Sequence, residues 1–128
     1  MDKQAMKIHG AFSWNELMTN DVKGAKVFYS AMFGWDIVQD KGASMPYHMI
    51  NLGKDMIGGM MANPPEAKGA PPAWGCYITV DDVDKQAARV ESLGGKIHIA
   101  PMDIPEVGRF AVIADPQGAM LNIITYSS

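Results

Sequence analysis

Apolar and polar positions along the chain fall into one order of elements that occurs twice. In residues 11–19 apolar and polar side chains alternate, though imperfectly, which is typical of a strand. In residues 22–33 apolar side chains recur at helical spacing. Further strand-like stretches follow. The second half repeats this order, and Asp82, which precedes its helix, lies 61 positions after Asp21. Because neither half can close a core alone, the repeat predicts two modules packed together.

The first half has clear start and stop signals for its helix. Asn20 or Asp21 can accept a hydrogen bond from a free backbone N–H, and Gly34 suits the left-handed conformation that ends helices. The predicted apolar stripe is Val22, Ala25, Phe28, Tyr29, Met32 and Phe33. Strands are predicted at 35–40, 46–52 and 55–62, with a turn at 41–44.

The second half carries the same signals. Asp81 or Asp82 precedes a helix whose predicted stripe is Val83, Ala87, Val90 and Leu93, and Gly94-Gly95 ends it. The predicted pieces are strands at 74–80, 96–100, 108–114 and 119–126, an extended loop at 101–107 and a tight turn at 115–118. Proline and glycine in Asp115-Pro116-Gln117-Gly118 are typical of such a turn.

A proline-rich segment separates the halves. Residues 63–73 contain four prolines in eleven residues, which excludes a helix and a central strand. We therefore expect a single domain with module one at about 8–62, a linker at 63–73 and module two at 74–128. The predicted fold class is α+β, with two βαβββ modules pairing around a central cleft.

Composition narrows the class of protein. At 128 residues with 48% apolar and 20% charged side chains, the chain is typical of a globular domain. A net charge of −3 without a basic stripe argues against a nucleic-acid partner. The lone Cys76, the lack of a signal-peptide pattern and the lack of a membrane-length apolar run favour a cytoplasmic protein without membrane contact. Eleven methionines indicate either flexible core filler or an adaptable apolar pocket.

Several motifs appear in a characteristic order. They are Asn20-Asp21, Phe28-Tyr29, Phe33-Gly34-Trp35, Val80-Asp81-Asp82-Val83, Leu93-Gly94-Gly95, Gly108-Arg109-Phe110 and Asp115-Pro116-Gln117-Gly118. In this order the chain resembles the vicinal oxygen chelate superfamily of glyoxalases, bleomycin-resistance proteins and extradiol dioxygenases. It looks most similar to small glyoxalase-like proteins with Phe-Gly-Trp after the first helix. The resemblance implies paired βαβββ modules around a central cavity, and often a homodimer.

The resemblance also implies where metal ligands would stand. Metal enzymes of this superfamily use four strand positions, which fall on Trp14, the 58–61 region, Gly75 and Asn122 in this chain. These residues are poor ligands for a divalent metal, because zinc or nickel prefers imidazole or carboxylate. We therefore expect no metal and no cofactor at these positions.

Strand alternation predicts which side chains face the cavity. If Gly75 faces it, Tyr77 and Thr79 do so too, whereas Cys76 faces the helix as a small core residue. In the first strand Leu17 and Asn15 face the helix. The expected lining of the cleft is Trp14, Glu16, Met18, Met60, Tyr77 and Asn122.

Glu16 is the candidate catalytic residue. In an apolar, aromatic setting, desolvation would raise the pKa of its carboxyl and suit it to general acid or base work. The alternative is a solvated or paired carboxylate at a cleft mouth. Trp14 and Tyr77 are candidates for stacking on a planar ligand or for simple packing, and Asn122 for hydrogen bonding.

Other polar residues leave their roles open. His9, His48 and His98 are scattered along the chain, and His48 is the best candidate among them for a ligand or catalytic role. Arg109 can bind an anion or pair with Asp103 or Glu106, and we favour the ion pair.

Three classes of function remain. The leading hypothesis is a small-molecule binding protein with a degenerate metal site. The rival is a lyase or dioxygenase-type enzyme, either metal-dependent through unusual ligands such as Glu16 with His48, or metal-free with Glu16 as general base. The third class is a pure interaction module, which applies if the chain's own side chains fill the cleft.

Overall fold

A computed structural model describes residues 3–40, 46–63, 65, 69–105 and 107–127. It contains eight strands, two α-helices and short 3₁₀ segments at Lys3–Lys7 and Glu91–Leu93. In chain order the elements are β1 Phe12–Thr19, α1 Val22–Phe33, β2 Asp36–Asp40, β3 Tyr47–Leu52, β4 Asp55–Ala62, β5 Ala73–Thr79, α2 Val83–Val90, β6 Lys96–Ile104, β7 Gly108–Ala114 and β8 Met120–Tyr126. The turn predicted at 41–44 lies outside the described residues.

The chain divides into two compact units. The first comprises Trp14–Gly75, and the second comprises Asp2–Ser13 with Cys76–Ser128. The first two residues of β1 therefore group with the second unit, and the first three residues of β5 group with the first.

In the first unit the strands lie in the order β2-β3-β4-β1. β1 runs parallel to β4, with Leu17 beside Met60, and the other pairs are antiparallel. The core on the helix face consists of Leu17, Ile37, Ile50 and Met60, with Val22, Ala25 and Tyr29 of α1 packed against it. As predicted, Asp21 caps α1, since its carboxylate accepts from the Gly24 N–H at 2.9 Å.

The second unit repeats this arrangement. Its strand order is β5-β8-β7-β6, and β5 runs parallel to β8, with Ile78 beside Ile123. Val80, Val83, Ala111 and Ile123 form the core beneath α2. Asp82 caps α2 through the Lys85 N–H at 3.2 Å. The predicted α+β class and the repeated βαβββ order are thus both confirmed.

Two element predictions are wrong. The expected strand at 96–100 and loop at 101–107 are largely one strand, β6, because Pro101 lies at the sheet edge of this unit, where a missing N–H is tolerated. Register irregularities along Ile97–Met102 accommodate it. Leu93 does not continue the buried stripe of α2, since the chain tightens into a 3₁₀ turn and leaves Leu93 64% exposed.

The two helices differ in how deeply they bury their apolar faces. α2 buries Val83, Ala87 and Val90, whereas α1 has no buried residue. Of the stripe predicted for α1, Phe28, Met32 and Phe33 are more than half exposed. Within the described residues, no helix is long and apolar enough to cross a membrane.

Candidate functional site

One face of the first unit carries the residues that the sequence singled out in β1. Leu17 points into the core beneath α1, so strand alternation places Trp14, Glu16 and Met18 on the opposite face. This agrees with the predicted alternation. Glu16 is only 7% exposed, although a carboxylate is seldom buried without partners.

Tyr47 of β3 joins Glu16 and Trp14 into one hydrogen-bonded group. Its hydroxyl donates to Glu16 Oε2 at 2.9 Å, and Trp14 Nε1–H donates to the same hydroxyl at 3.0 Å. β4 lies between β3 and β1, so the phenol must cross that strand to reach Glu16. Tyr47 thus fixes the position of the Glu16 carboxylate, and Trp14 fixes the position of Tyr47.

Gly59 of β4 makes this crossing possible. It lies beside Glu16 in the parallel register and beside Met49 in the antiparallel one. A Cβ at this position would overlap the Tyr47 hydroxyl. The missing side chain at Gly59 is therefore the space that the phenol occupies.

Three half-buried methionines share this face. Met61 is the cross-strand neighbour of both Met18 and Tyr47, and Met49 is the neighbour of Gly59. Because thioether side chains are flexible and polarisable, they adapt to ligands of different shapes. The group of Glu16, Tyr47 and Trp14 thus lies in apolar, deformable surroundings.

The placement of Met60 is a correction. Met60 is fully buried in the core with Leu17, Ile37 and Ile50, on the α1 face, and does not line the face of Glu16. The register of β4 against β1 puts Gly59 and Met61 on that face instead. The prediction chose the wrong neighbour because the register irregularity in β4 upsets simple alternation along this strand.

Tyr77 and Asn122 belong to the second unit. They are adjacent across the parallel pair β5 and β8, on the face opposite α2. Tyr77 is 4% exposed and Asn122 is half-buried. Cys76 points toward α2 by alternation, as predicted, but it is half-buried rather than a core residue.

The sequence reasoning missed Tyr47, Met49 and Met61. Tyr47 comes soon after residues 41–44, where a turn is predicted, so the local pattern does not show which face its side chain joins. The available signal was Gly58-Gly59 inside a strand, because such glycines often mark a close approach by another group.

The histidines do not join this site. His48 lies on the α1 face with Ile50, whereas Glu16 lies on the other face, so the suggested pair of Glu16 with His48 is wrong. Burial, with a contribution from nearby Lys26, lowers the pKa of His48. His9 is exposed and accepts from the Asp81 N–H at 2.9 Å.

Arg109 forms ion pairs, which was the favoured alternative to anion binding. Its guanidinium binds Asp84 through two nitrogens at 2.8 and 3.0 Å and contacts Asp103 at 3.1 Å. Hydrogen bonding to Arg109 lowers the pKa of Asp84. Asp84 was not predicted as a partner, and Glu106 lies outside the described residues.

The residues at the family's metal positions do not fit a metal. The indole Nε1–H of Trp14 donates to Tyr47 and has no lone pair to offer, and Gly59 and Gly75 have no side chains. Asn122 provides one weak neutral donor. Within the described ranges, no three His, Cys, Asp or Glu side chains come together in a way that could hold a metal ion.

With this geometry established, comparison with known proteins identifies the family. The chain belongs to the glyoxalase/bleomycin resistance protein/dioxygenase superfamily, whose family model matches residues 11–123.

Two curated relatives are similar over most of the chain. CFP32 of Mycobacterium tuberculosis, provisionally named a glyoxylase, is 39% identical over 116 residues, which cover 90% of this chain and 44% of that protein. The anthracycline biosynthesis protein DnrV of Streptomyces peucetius is 34% identical over 123 residues, which cover 86% and 45% respectively. The chain therefore spans less than half the length of these relatives.

Solved structures share the fold at low sequence identity. Methylmalonyl-CoA epimerase from Mycobacterium tuberculosis superposes with a TM-score of 0.62 at 15% identity, covering 93% of this chain and 89% of the epimerase. The hypothetical protein BH1468 from Bacillus halodurans gives 0.65 at 9% identity, covering 91% and 94%. At these identities the likeness concerns the fold alone.

Proposed function

We propose that the chain binds a small molecule on the face that carries Glu16, Tyr47 and Trp14. The observation that carries the proposal is the Tyr47 hydroxyl held over Gly59 against a buried carboxylate. Burying a carboxylate is costly unless it is hydrogen-bonded, so the burial of Glu16 beside a fixed phenol favours a binding role. Tyr77 and Asn122, which lie side by side in the second unit, are proposed as ligand contacts of that unit by itself.

The chemistry of this face indicates the ligand class. An ionised carboxylate accepts several hydrogen bonds, and Tyr47 uses one of them. Met18, Met49 and Met61 provide apolar contact, and Trp14 provides an aromatic surface. The expected ligand is therefore a small aromatic or apolar compound that presents an N–H or O–H donor, or an ammonium group, to Glu16.

A matched pair of probes tests this. Phenethylamine and 3-phenylpropionate carry the same ring but opposite charges. We expect phenethylamine to shift the methyl NMR signals of Met18, Met49 and Met61 saturably, and the acid to bind at least about tenfold more weakly, because a carboxylate repels it. Glu16→Gln should remove the preference. Equal binding of both probes, or no saturable shift with either, would contradict the proposal.

A metal-free enzyme is the second candidate. It is favoured by the fixed, buried position of the Glu16 carboxylate and by the enzyme name that CFP32 carries. In this reading Glu16 removes a proton from an acidic C–H, and Tyr47 orients its carboxylate. General-base catalysis typically contributes about 10²–10⁴-fold.

Deuterium exchange separates the two candidates. Incorporation of solvent deuterium into methylmalonyl-CoA, followed by NMR, should fall at least about 100-fold in Glu16→Gln if Glu16 is the base. Exchange that continues in Glu16→Gln would show that Glu16 is not the general base. An inactive wild-type protein would exclude this substrate and leave the binding function.

We also propose that the chain forms a homodimer, because two-fold pairing is the commonest assembly of soluble oligomers. The chain mass is 13.9 kDa, so light scattering after size exclusion should give twice that value. A mass of 13.9 kDa across a tenfold range of concentration would show a monomer and contradict this expectation.

A further inference from the structure

The Phe33-Gly34-Trp35 motif has no part in the proposed site but has a clear structural effect. Gly34 ends α1 in the left-handed conformation at φ 71°, and its N–H donates to Ser30 O at 2.9 Å. The chain therefore reverses between the two aromatic residues. The rings of Phe33 and Trp35 come together with their centroids 4.9 Å apart.

Two further aromatic side chains fix this group in place. Tyr29 stacks on Trp35 with centroids 5.7 Å apart and ring planes at 20°. Trp74 of β5 meets Tyr29 edge-on at 5.4 Å and 83°, and its Nε1–H donates to the Tyr29 hydroxyl at 3.2 Å. Trp74 is nevertheless 44% exposed, so this aromatic cluster (Tyr29, Phe33, Trp35 and Trp74) is ordered without being fully buried.

A cavity of about 530 Å³ opens beside the aromatic cluster. It is lined by Asn15, Trp35, Ile50, Ile57, Gly58 and Trp74. The two indoles meet at 79° with centroids 6.1 Å apart and so form adjacent, nearly perpendicular walls. The close approach of the strands leaves no room for a side chain at Gly58, since a Cβ there would lie 2.8 Å from the Asn15 carbonyl oxygen. Gly58 therefore lines the cavity without a side chain.

The lining indicates what the cavity can hold. It carries no formally charged side chain, and Asn15 provides its one side-chain amide. The volume lies within the range of about 300–1,000 Å³ that is usual for small-molecule sites.

We propose that this cavity is a second binding site, for a neutral, flat aromatic molecule with one polar group. The ring would lie against one indole and meet the edge of the other, since aromatic pairs prefer offset-stacked or edge-to-face contacts. The polar group would hydrogen-bond to the Asn15 amide. Asn15 lies between Trp14 and Glu16 in β1 and faces the opposite way, so this site is separate from the one that carries the proposed function.

Titration with 2-naphthol tests the proposal, because this probe is neutral, flat and carries one hydroxyl. The chain has three tryptophans, and each gives one indole N–H signal in a nitrogen-correlated NMR spectrum. We expect saturable shifts of the Trp35 and Trp74 signals with little change at Trp14. Trp74→Ala should weaken binding at least about tenfold, and Asn15→Ala severalfold.

Phe28→Ala is the matched control. Phe28 touches Tyr29 from the same helix and is 54% exposed, but it does not line the cavity, so its removal should leave naphthol affinity unchanged. Circular dichroism and thermal melting check that each variant is folded. Unchanged affinity in folded Trp74→Ala, or shifts confined to Trp14, would overturn the proposal. Shifts of Trp35 and Trp74 on dilution without naphthol would do so too, since they would show that a second copy covers the cluster.

Discussion

Gly59 matters at the candidate site because it has no side chain. Tyr47 reaches Glu16 from two strands away only because no Cβ stands in its path on β4. The glycine itself contributes no contact, and glycine in a strand interior is normally unfavourable. Its presence therefore serves the arrangement of Tyr47, Glu16 and Trp14 rather than the strand.

Gly59→Ala should displace the Tyr47 phenol. The backbone can stay in place, because the overlapping atoms belong to the movable end of a side chain. The loss then includes the hydrogen bonds of the Tyr47 hydroxyl with Trp14 and with the buried Glu16 carboxylate. We expect a loss of about 1–3 kcal/mol in the free energy of unfolding, measured by urea denaturation.

A double-mutant cycle with Tyr47→Ala supplies the control. Once the phenol is absent, Gly59→Ala has nothing to displace and should cost little, or should even stabilise a strand position. An equal loss in both backgrounds would show that the alanine strains the backbone and that Gly59 does not act through Tyr47.

Residue-level prediction from the sequence succeeded where an anchor existed. Leu17 could be assigned to the helix face, and Trp14, Glu16 and Met18 followed by alternation in the same strand. The prediction for Met60 failed because a bulge at Ile57 breaks the alternation that starts from Asp55, the polar residue of β4. Alternation alone cannot show which of two adjacent residues faces a site.

The two helices show how one element can differ between repeats. Lys26 of α1 stands 61 positions before Ala87 of α2, and Ala87 is buried against its sheet. A lysine at this position cannot be buried as an alanine can, and α1 accordingly buries none of its residues. Beneath it, His48 Nδ1 is buried and makes no hydrogen bond to any residue that the structure describes.

His48 should make stability depend on pH. Burial, aided by Lys26, lowers its pKa below the ordinary 6.5, so the folded chain binds a proton less readily than the unfolded chain. This contribution to stability is complete above about pH 6.5 and is lost as the pH falls through the folded pKa. Urea denaturation at about pH 8 and about pH 5 should show wild type losing more stability than His48→Leu.

His98→Leu controls for the loss of an imidazole, because His98 lies exposed on β6. This variant should keep the His48-dependent loss of stability in acid. Lys26→Met should reduce that loss only in part, since burial is the larger cause. Identical pH dependence in wild type and His48→Leu would contradict the assignment.

Elements were predictable where local chemistry decides them. Asp21 and Asp82 cap the starts of α1 and α2, and Gly34 ends α1 in a left-handed turn, as the sequence predicted. Gly94 ends the 3₁₀ turn that follows α2. β6 was missed because a proline inside a strand is acceptable only at a sheet edge. Whether a strand lies at an edge depends on pairing with distant residues, which local pattern does not reveal.

At the scale of the whole chain, the repeat extends to individual site positions. Glu16 and Tyr77 lie 61 residues apart and occupy the same place in their units, each in the strand that runs parallel to the last strand of its module. Their neighbours in that last strand are Gly59 and Asn122. The 61-residue spacing of the repeat predicted that Trp14 and Gly75 are equivalent positions. That Gly59 lies beside Glu16 is known only from the observed register.

This equivalence leads to a prediction about metal. The resemblance places metal ligands at Trp14, in the 58–61 region, at Gly75 and at Asn122, and the residues there are poor ligands for a divalent ion. Protein purified without a metal-chelating tag should therefore contain far less than one equivalent of zinc, nickel, iron or manganese by elemental analysis. EDTA should leave the melting temperature unchanged, because removing a bound metal would lower it. Retention of one equivalent of zinc after incubation and desalting, or a fall of several degrees in EDTA, would show that other residues hold a metal and would favour the metal-dependent enzyme over the binding protein.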